Sequence, residues 1–378
     1  MYKRTISLYF ITLLSIGIIL FLPLYLNDPL QVFHKDPNNK NRYSNQMRYQ
    51  AAGFINNFKH DSIILGTSML ANTSTQEAEK YLNGKFINIS IYGGDYYERS
   101  ILLKHALSQQ ALKQVFYSLD DSYLLQSKAN ASYFEYLYDD NLINDFKIYL
   151  NKKYILKCAL GFSKNEKCLG KEQDTLRPNA WYQELQYQRH FGGINNLLSN
   201  QDHEEARQEY KKIALTAKKI ESGQSCSLLG LENQTKKAYE YIDQNLLSIV
   251  KKHKNTKFIF IFPPYSRLVY AQWAQYDRKS YKVHTAILKY LSQADEKNKN
   301  LEVYAWGDHD FLDDIANYKD THHYHHSINT WMLQAINENK GRLSASNINQ
   351  YLNNIDRKNK DYNLSEIGRQ IDAFYQTN

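Results

Sequence analysis

Two stretches far apart in this chain carry residue types that move acyl groups. The first, Asp61 to Ser74, places Ser68 behind an apolar run, Ser62 to Leu65, with the length and β-branched content of a buried strand. Gly66 closes that run and lets the backbone turn sharply, so Ser68 is expected just past a strand end. A serine hydroxyl there becomes a nucleophile only if a base takes its proton. The second stretch, Tyr318 to His326, offers that base. Asp320 and His323 are three apart, which on one helical turn puts them on one face, with the carboxylate able to orient the imidazole. Serine, aspartate and histidine in this chain order are the minimum set for acyl transfer through a covalent serine.

Blander chemistry competes for the same residues. A strand followed by Gly-x-Ser also describes a polar turn. His322, His323, His325 and His326, with Asp308, His309 and Asp310 shortly before, offer imidazole and carboxylate ligands of the kind that hold zinc. Adjacent histidines cannot all point one way and no His-Glu-x-x-His frame is present, so neither metal nor cofactor is expected. Pro263-Pro264 reads as a strand terminator at the rim, where Tyr265 and Arg267 could face a substrate.

The elements that must position these residues follow from periodicity. Apolar stretches at Phe86–Ile91, Val115–Leu119, Lys257–Phe262 and Leu301–Ala305 add four strands to the first. Helical patterns between them, at about Tyr97–Ala111, Thr235–Lys252 and Ser280–Asp295, make a parallel α/β sheet of about five strands with helices on both faces. Ser74 and Glu77 form a capping box for a helix that Gly84 is expected to stop. A helix over Tyr49–Phe58 precedes the first strand. From about 122 to 225 the rhythm breaks into a Tyr-, Asn- and Lys-rich helical insertion, a lid or platform over the strand ends. The α/β domain then spans 49–340, and 341–378 is a polar helical tail.

The N-terminus bounds the compartment. After Lys3 and Arg4, Thr5 to Leu26 carries no charge, and about 21 residues at 1.5 Å each cross the ~30 Å hydrocarbon core. Residues 1–26 read as a signal anchor, with a cleaved signal peptide as the competing reading. The basic pair keeps the short N-terminus in the cytoplasm and leaves the domain outside the inner membrane, in a periplasmic or extracytoplasmic space. Residues 27–48, with Asp36-Pro37-Asn38-Asn39-Lys40-Asn41 at their centre, read as a tether. A Cys158–Cys168 bridge would suit an oxidising space, but three cysteines leave the pairing open and one thiol over. The net charge of +8 comes from interspersed Lys, Arg, Asp and Glu with no basic arm, so nucleic acid is not an expected partner.

Strand-Gly66-Thr67-Ser68, Gly93-Gly94 after the next strand and Asp320-x-x-His323 near the end resemble the spaced blocks of the SGNH (GDSL-type) hydrolases. The Gly-Thr-Ser variant, the anchor, Phe262-Pro-Pro-Tyr-Ser266 and the Asp-x-x-His-Tyr ending are similar to the membrane-tethered branch related to lipoteichoic acid D-alanylation and alginate O-acetylation. The resemblance covers roughly Asp61 to Ile336, without the helical middle. It implies a three-layer flavodoxin-like fold and an esterase or O-acyltransferase acting on a cell-envelope glycan or its lipid-linked precursor, alongside a membrane O-acyltransferase. Ser68 would be the nucleophile, His323 the base and Asp320 its orienter, with the amides of Ser68 and of Gly93 or Gly94 as oxyanion hole. Asp120, Tyr265, Arg267 and Tyr324 are the expected substrate-facing residues. The family's third block supplies an asparagine, where this chain has Ser118-Leu119-Asp120-Asp121; an ionised aspartate accepts but does not donate. That departure keeps a second reading open, a non-catalytic envelope protein that binds glycan or scaffolds a polymer-export complex.

Overall fold

The computed structural model describes residues 2–35, 42–125, 130–159, 166–172, 174–199 and 204–377. The apolar N-terminal run forms one helix, α1 (Tyr2–Asn27), largely exposed along its length. By length and composition it fits a membrane span or a signal sequence.

The domain behind it is a sheet with helices on both sides. Strands β1 (Ser62–Leu65), β2 (Phe86–Asn88), β3 (Gln114–Ser118), β4 (Lys257–Ile261) and β5 (Leu301–Tyr304) run parallel in the order β2-β1-β3-β4-β5. A sixth strand, β6 (Arg342–Leu343), joins antiparallel by pairing Leu343 with Val303. Two residues carry no readable period, which is why β6 was not expected.

Alternation along the strands makes the layers. Ile63, Leu65, Val115, Tyr117, Phe258, Phe260 and Val303 pack in one core, with α2 (Met47–Asn57) and α5 (Tyr96–Gln109) among their partners. Ile64, Phe116, Ile259, Ile261 and Tyr304 face the other way. They meet the short α3 (Ser68–Ala71) and α4 (Thr75–Leu82). Ser74 caps α4 by accepting from the Glu77 amide, but Asn83, at φ 58°, stops the helix in place of the expected Gly84.

Within the insertion the described residues form short helical turns and one long helix, α6 (Glu204–Glu221). Beyond the insertion come α7 (Leu231–Ile242), α8 (Arg267–Gln275), α9 (Arg278–Lys297), α10 (His326–Asn337), α11 (Ile348–Asp361) and α12 (Leu364–Thr377). Cys158 and Cys168 are disulfide-bonded and Cys226 is free. Lys171–Glu172 pairs antiparallel with Arg42–Tyr43, so the insertion also clasps the N-terminal segment.

Two of the expected segments pack on the domain. The expected tether is packed on the domain at its start, because Asp28 accepts the Val32, Phe33 and His34 amides and the Tyr149 hydroxyl, burying Leu30 and Val32. Its centre, 36–41, lies outside the described residues. The tail is integral: Ile355 joins the main core, while Leu364 and Ile371 pack against Tyr210 and Ile213 of α6.

Candidate active site

The strand order turns back between β1 and β3, and such a switch leaves a crevice at the carboxyl ends of those strands. Gly66-Thr67-Ser68 leaves β1 there, and Asp120-Asp121 leaves β3. Gly66 permits the turn by its size: a Cβ would come within 2.5 Å of Ser118 Oγ and 2.9 Å of Leu70. Thr67 caps α3, accepting from the Met69 amide at 3.3 Å. Ser68 is thereby the first residue of a helix, where its amide has no intrahelical acceptor.

Ser68 Oγ lies 2.7 Å from His323 Nε2, and His323 Nδ1 lies 2.7 Å from Asp320 Oδ2. With Nδ1–H donated to the carboxylate, Nε2 holds the lone pair that faces the hydroxyl. The structure therefore brings the three expected residues together across the crevice. The loop differs from the expected helical turn: residues 318–325 form a tight loop closed by a bridge between Tyr318 and Tyr324. Asp320 Oδ1 accepts the His322 and His323 amides at 2.9 and 2.7 Å, so the aspartate shapes its own turn as well as orienting the imidazole. Burial alone would raise the Asp320 carboxyl, but His323 and Lys319 outweigh it and hold the group well below its ordinary range.

Residues the sequence did not single out complete the surroundings. Lys319 Nζ donates to Asp320 Oδ2 at 2.9 Å and lies 5.0 Å from the ring centres of Trp181 and Tyr187. Trp181 Nε1 donates to the Ser68 carbonyl at 2.9 Å, and its ring stands edge-on to His323 at 5.6 Å. The insertion thus reaches both Ser68 and His323. Lone aromatic and lysine positions in a stretch without period gave no signal for this.

The four residues expected to face substrate, Asp120, Tyr265, Arg267 and Tyr324, are all buried, with their polar groups or rings engaged inside the protein. Asp120 Oδ1 accepts from Thr67 Oγ1 at 2.7 Å, while its Oδ2 accepts from Ser118 Oγ at 2.7 Å and the fully buried Arg99 at 3.0 Å. It frames the turn that carries Ser68. Tyr324 donates to the Met69 carbonyl at 3.1 Å, and Asn329 does so beside it at 2.9 Å. Arg267 is spent on Asp313, Asn359 and the Gly307 and His309 carbonyls, locking α8 to α11 and the loop after β5. Tyr265 stacks on Tyr270 and meets His322 edge-on at 4.8 Å.

The two glycines expected near the oxyanion hole differ. The Gly94 amide donates to the Ile91 carbonyl at 3.0 Å, which removes it as a donor. Gly93 stands at φ 59°, the left-handed conformation that glycine adopts without strain. Asn179 of the insertion sits at the end of β2, donating from Nδ2 to the Ser90 carbonyl at 3.4 Å and accepting from Tyr92.

Glu209, Asp320 and His322 offer ligand atoms within 4.8 Å of one another. Both Asp320 oxygens are already hydrogen-bonded, and the Lys319 ammonium beside them opposes a second cation. Glu209 accepts from Thr321 Oγ1 at 2.7 Å, and His322 Nδ1 lies 2.7 Å from the same hydroxyl.

Comparison with family models, with curated proteins and with solved structures finds no match for this chain.

Proposed function

We propose that this chain is a serine-dependent esterase or O-acyltransferase of SGNH type, anchored by α1 with its domain outside the cytoplasmic membrane. The observation that carries the reading is the continuous Ser68–His323–Asp320 chain, with 2.7 Å at each link. The strand order, which follows the flavodoxin-like sequence with one added antiparallel strand, supports the fold that the motifs resemble.

In the proposed reaction Ser68 Oγ attacks the carbonyl carbon of an acyl donor while His323 Nε2 takes the hydroxyl proton. Collapse of the tetrahedral intermediate breaks the bond to the leaving oxygen, which receives that proton, and leaves acyl-Ser68. A second hydroxyl, from water or a sugar, gives its proton to His323 as its oxygen bonds the acyl carbon, and the acyl–Oγ bond then breaks as His323 returns that proton to Ser68. Asp320 stays ionised and stabilises the imidazolium. The Ser68 amide is one oxyanion donor, and Gly93 supplies the second by the family pattern. A cell-envelope polysaccharide or its lipid-linked precursor is the proposed acceptor, with a membrane O-acyltransferase as the source of acyl groups.

The test is labelling of the detergent-solubilised full chain by a fluorophosphonate probe, with p-nitrophenyl acetate turnover in parallel. Wild type labels and turns over; Ser68→Ala does neither while keeping its thermal unfolding profile. Equal labelling of wild type and Ser68→Ala would remove Ser68 as nucleophile.

A further inference from the structure

We infer that residues 142–156 of the insertion form a second membrane contact, a lipid-binding surface bearing apolar side chains and lysines beside the point where α1 ends. The inference rests on the reading of α1 as a retained anchor.

The surface is built from one short amphipathic stretch. Ile148, Tyr149 and Tyr154 point inward and are buried in the main core. Leu142, Ile143, Leu150 and Leu156 point outward and are 64, 83, 51 and 59% exposed. Single exposed apolar residues are ordinary, but four in one such stretch make an apolar surface that water covers at a cost. Lys147, Lys152 and Lys153 are exposed among them, the mixture of apolar and basic groups that suits an interface with anionic lipid headgroups.

Its position commits it to lipid. Phe146 stacks on Phe33 at 4.4 Å and on Tyr25 of α1 at 6.0 Å. It also lines a groove with Leu13, Ile18, Phe21 and Leu22 along the helix. The Tyr149 hydroxyl donates to Asp28 at 2.5 Å, one residue beyond the end of α1. A helix that spans the bilayer brings its end to the headgroup layer, so a segment pinned to that end lies against the same layer. Two contacts instead of one would stop the domain swinging on its anchor and hold the Ser68 crevice at a fixed height, which suits a lipid-linked substrate.

The test uses the full chain in nanodiscs, with Cys226→Ser as background and one bimane-labelled cysteine at a time. Ile143→Cys and Leu156→Cys should be quenched by lipids spin-labelled near the headgroup about two-fold or more above Leu229→Cys, an exposed position outside the segment. Replacing Lys147, Lys152 and Lys153 with glutamate should reduce that quenching, most in discs containing phosphatidylglycerol. Ile16→Cys, read with a lipid spin-labelled deep in the acyl chain, reports the anchor separately. If Ile16 is quenched while positions 143 and 156 match Leu229, the surface is not a lipid contact; if Ile16 is not quenched, the anchor reading falls and takes the surface with it.

Discussion

The two halves of the proposed catalytic pair, Ser68 as nucleophile and His323 as base, are held by different means. The base half is local: Lys319, Asp320, His322 and His323 lie within five residues, and one aspartate both folds the loop and orients the imidazole. The nucleophile half is assembled from afar. Thr67 leans on Asp120, Asp120 on Arg99, and the carbonyls of Ser68 and Met69 are taken by Trp181, Tyr324 and Asn329. Local bonding makes a loop whose removal costs chemistry before fold. Distant bonding makes a turn whose loss costs fold and chemistry together.

The largest effect is expected in the base half. Asp320→Asn should lower probe labelling by about 10³- to 10⁴-fold, because the amide favours the wrong imidazole tautomer and leaves the imidazolium without a counter-charge. The same variant tests the acid response. Asp320 is held below its unfolded value, so its contribution to stability is present above about pH 4 and is lost as pH falls through the depressed native value. Thermal scans from pH 6 down to pH 2 should show a shallower loss in Asp320→Asn. An equal slope would mean that the carboxylate is not stabilised by its neighbours.

Next comes a break in the distant frame. Arg99 is fully buried between the rings of Tyr96 and Tyr117, at 4.9 and 4.6 Å, with its charge on Asp120. Arg99→Met strands that carboxylate and should cost on the order of 3–5 kcal/mol in denaturant unfolding, with labelling falling in step. Pairing it with Asp120→Asn should recover part of the loss, because a neutral amide is cheaper to bury alone. Lost labelling without lost stability would erase the distinction between the halves.

This division also sets what was legible in the sequence. Ser68, Asp320 and His323 could be chosen because a strand end and an i,i+3 spacing are short-range signals. The five parallel strands were legible for the same reason, being apolar runs of four to six residues with clear stops. Asp120, Tyr265, Arg267 and Tyr324 were assigned to substrate on type and proximity to the motifs. The structure buries them, since a polar residue near a strand end bonds backbone as readily as ligand. Trp181 and Lys319 carried no pattern: their role depends on the insertion folding back over the crevice, which no local period encodes.

Lys319→Met sharpens the base half at smaller scale. Removing the ammonium lets the Asp320 carboxyl rise toward its ordinary range while remaining ionised at neutral pH. Labelling at pH 7 should change by less than about tenfold. In thermal scans toward acid pH the variant should lose stability before wild type does, since its carboxylate protonates first. A pH profile superimposable on wild type would reduce Lys319 to a packing residue beneath Trp181 and Tyr187.

The smallest expected effect decides whether the insertion belongs to the nucleophile half or only covers it. Trp181→Phe keeps an aromatic ring beside His323 but deletes the N–H that holds the Ser68 carbonyl at 2.9 Å. One lost hydrogen bond is worth roughly 0.5–1.5 kcal/mol, which as barrier is a few-fold to about tenfold in labelling rate. Trp181→Ala deletes the ring as well and should fall further, by exposing the imidazole to water. If phenylalanine is neutral and alanine is not, the ring shields the base and the nucleophile turn stands without it. If both are neutral, the frame from Asp120 and Arg99 is sufficient, and the insertion's contacts with the triad do not affect the chemistry.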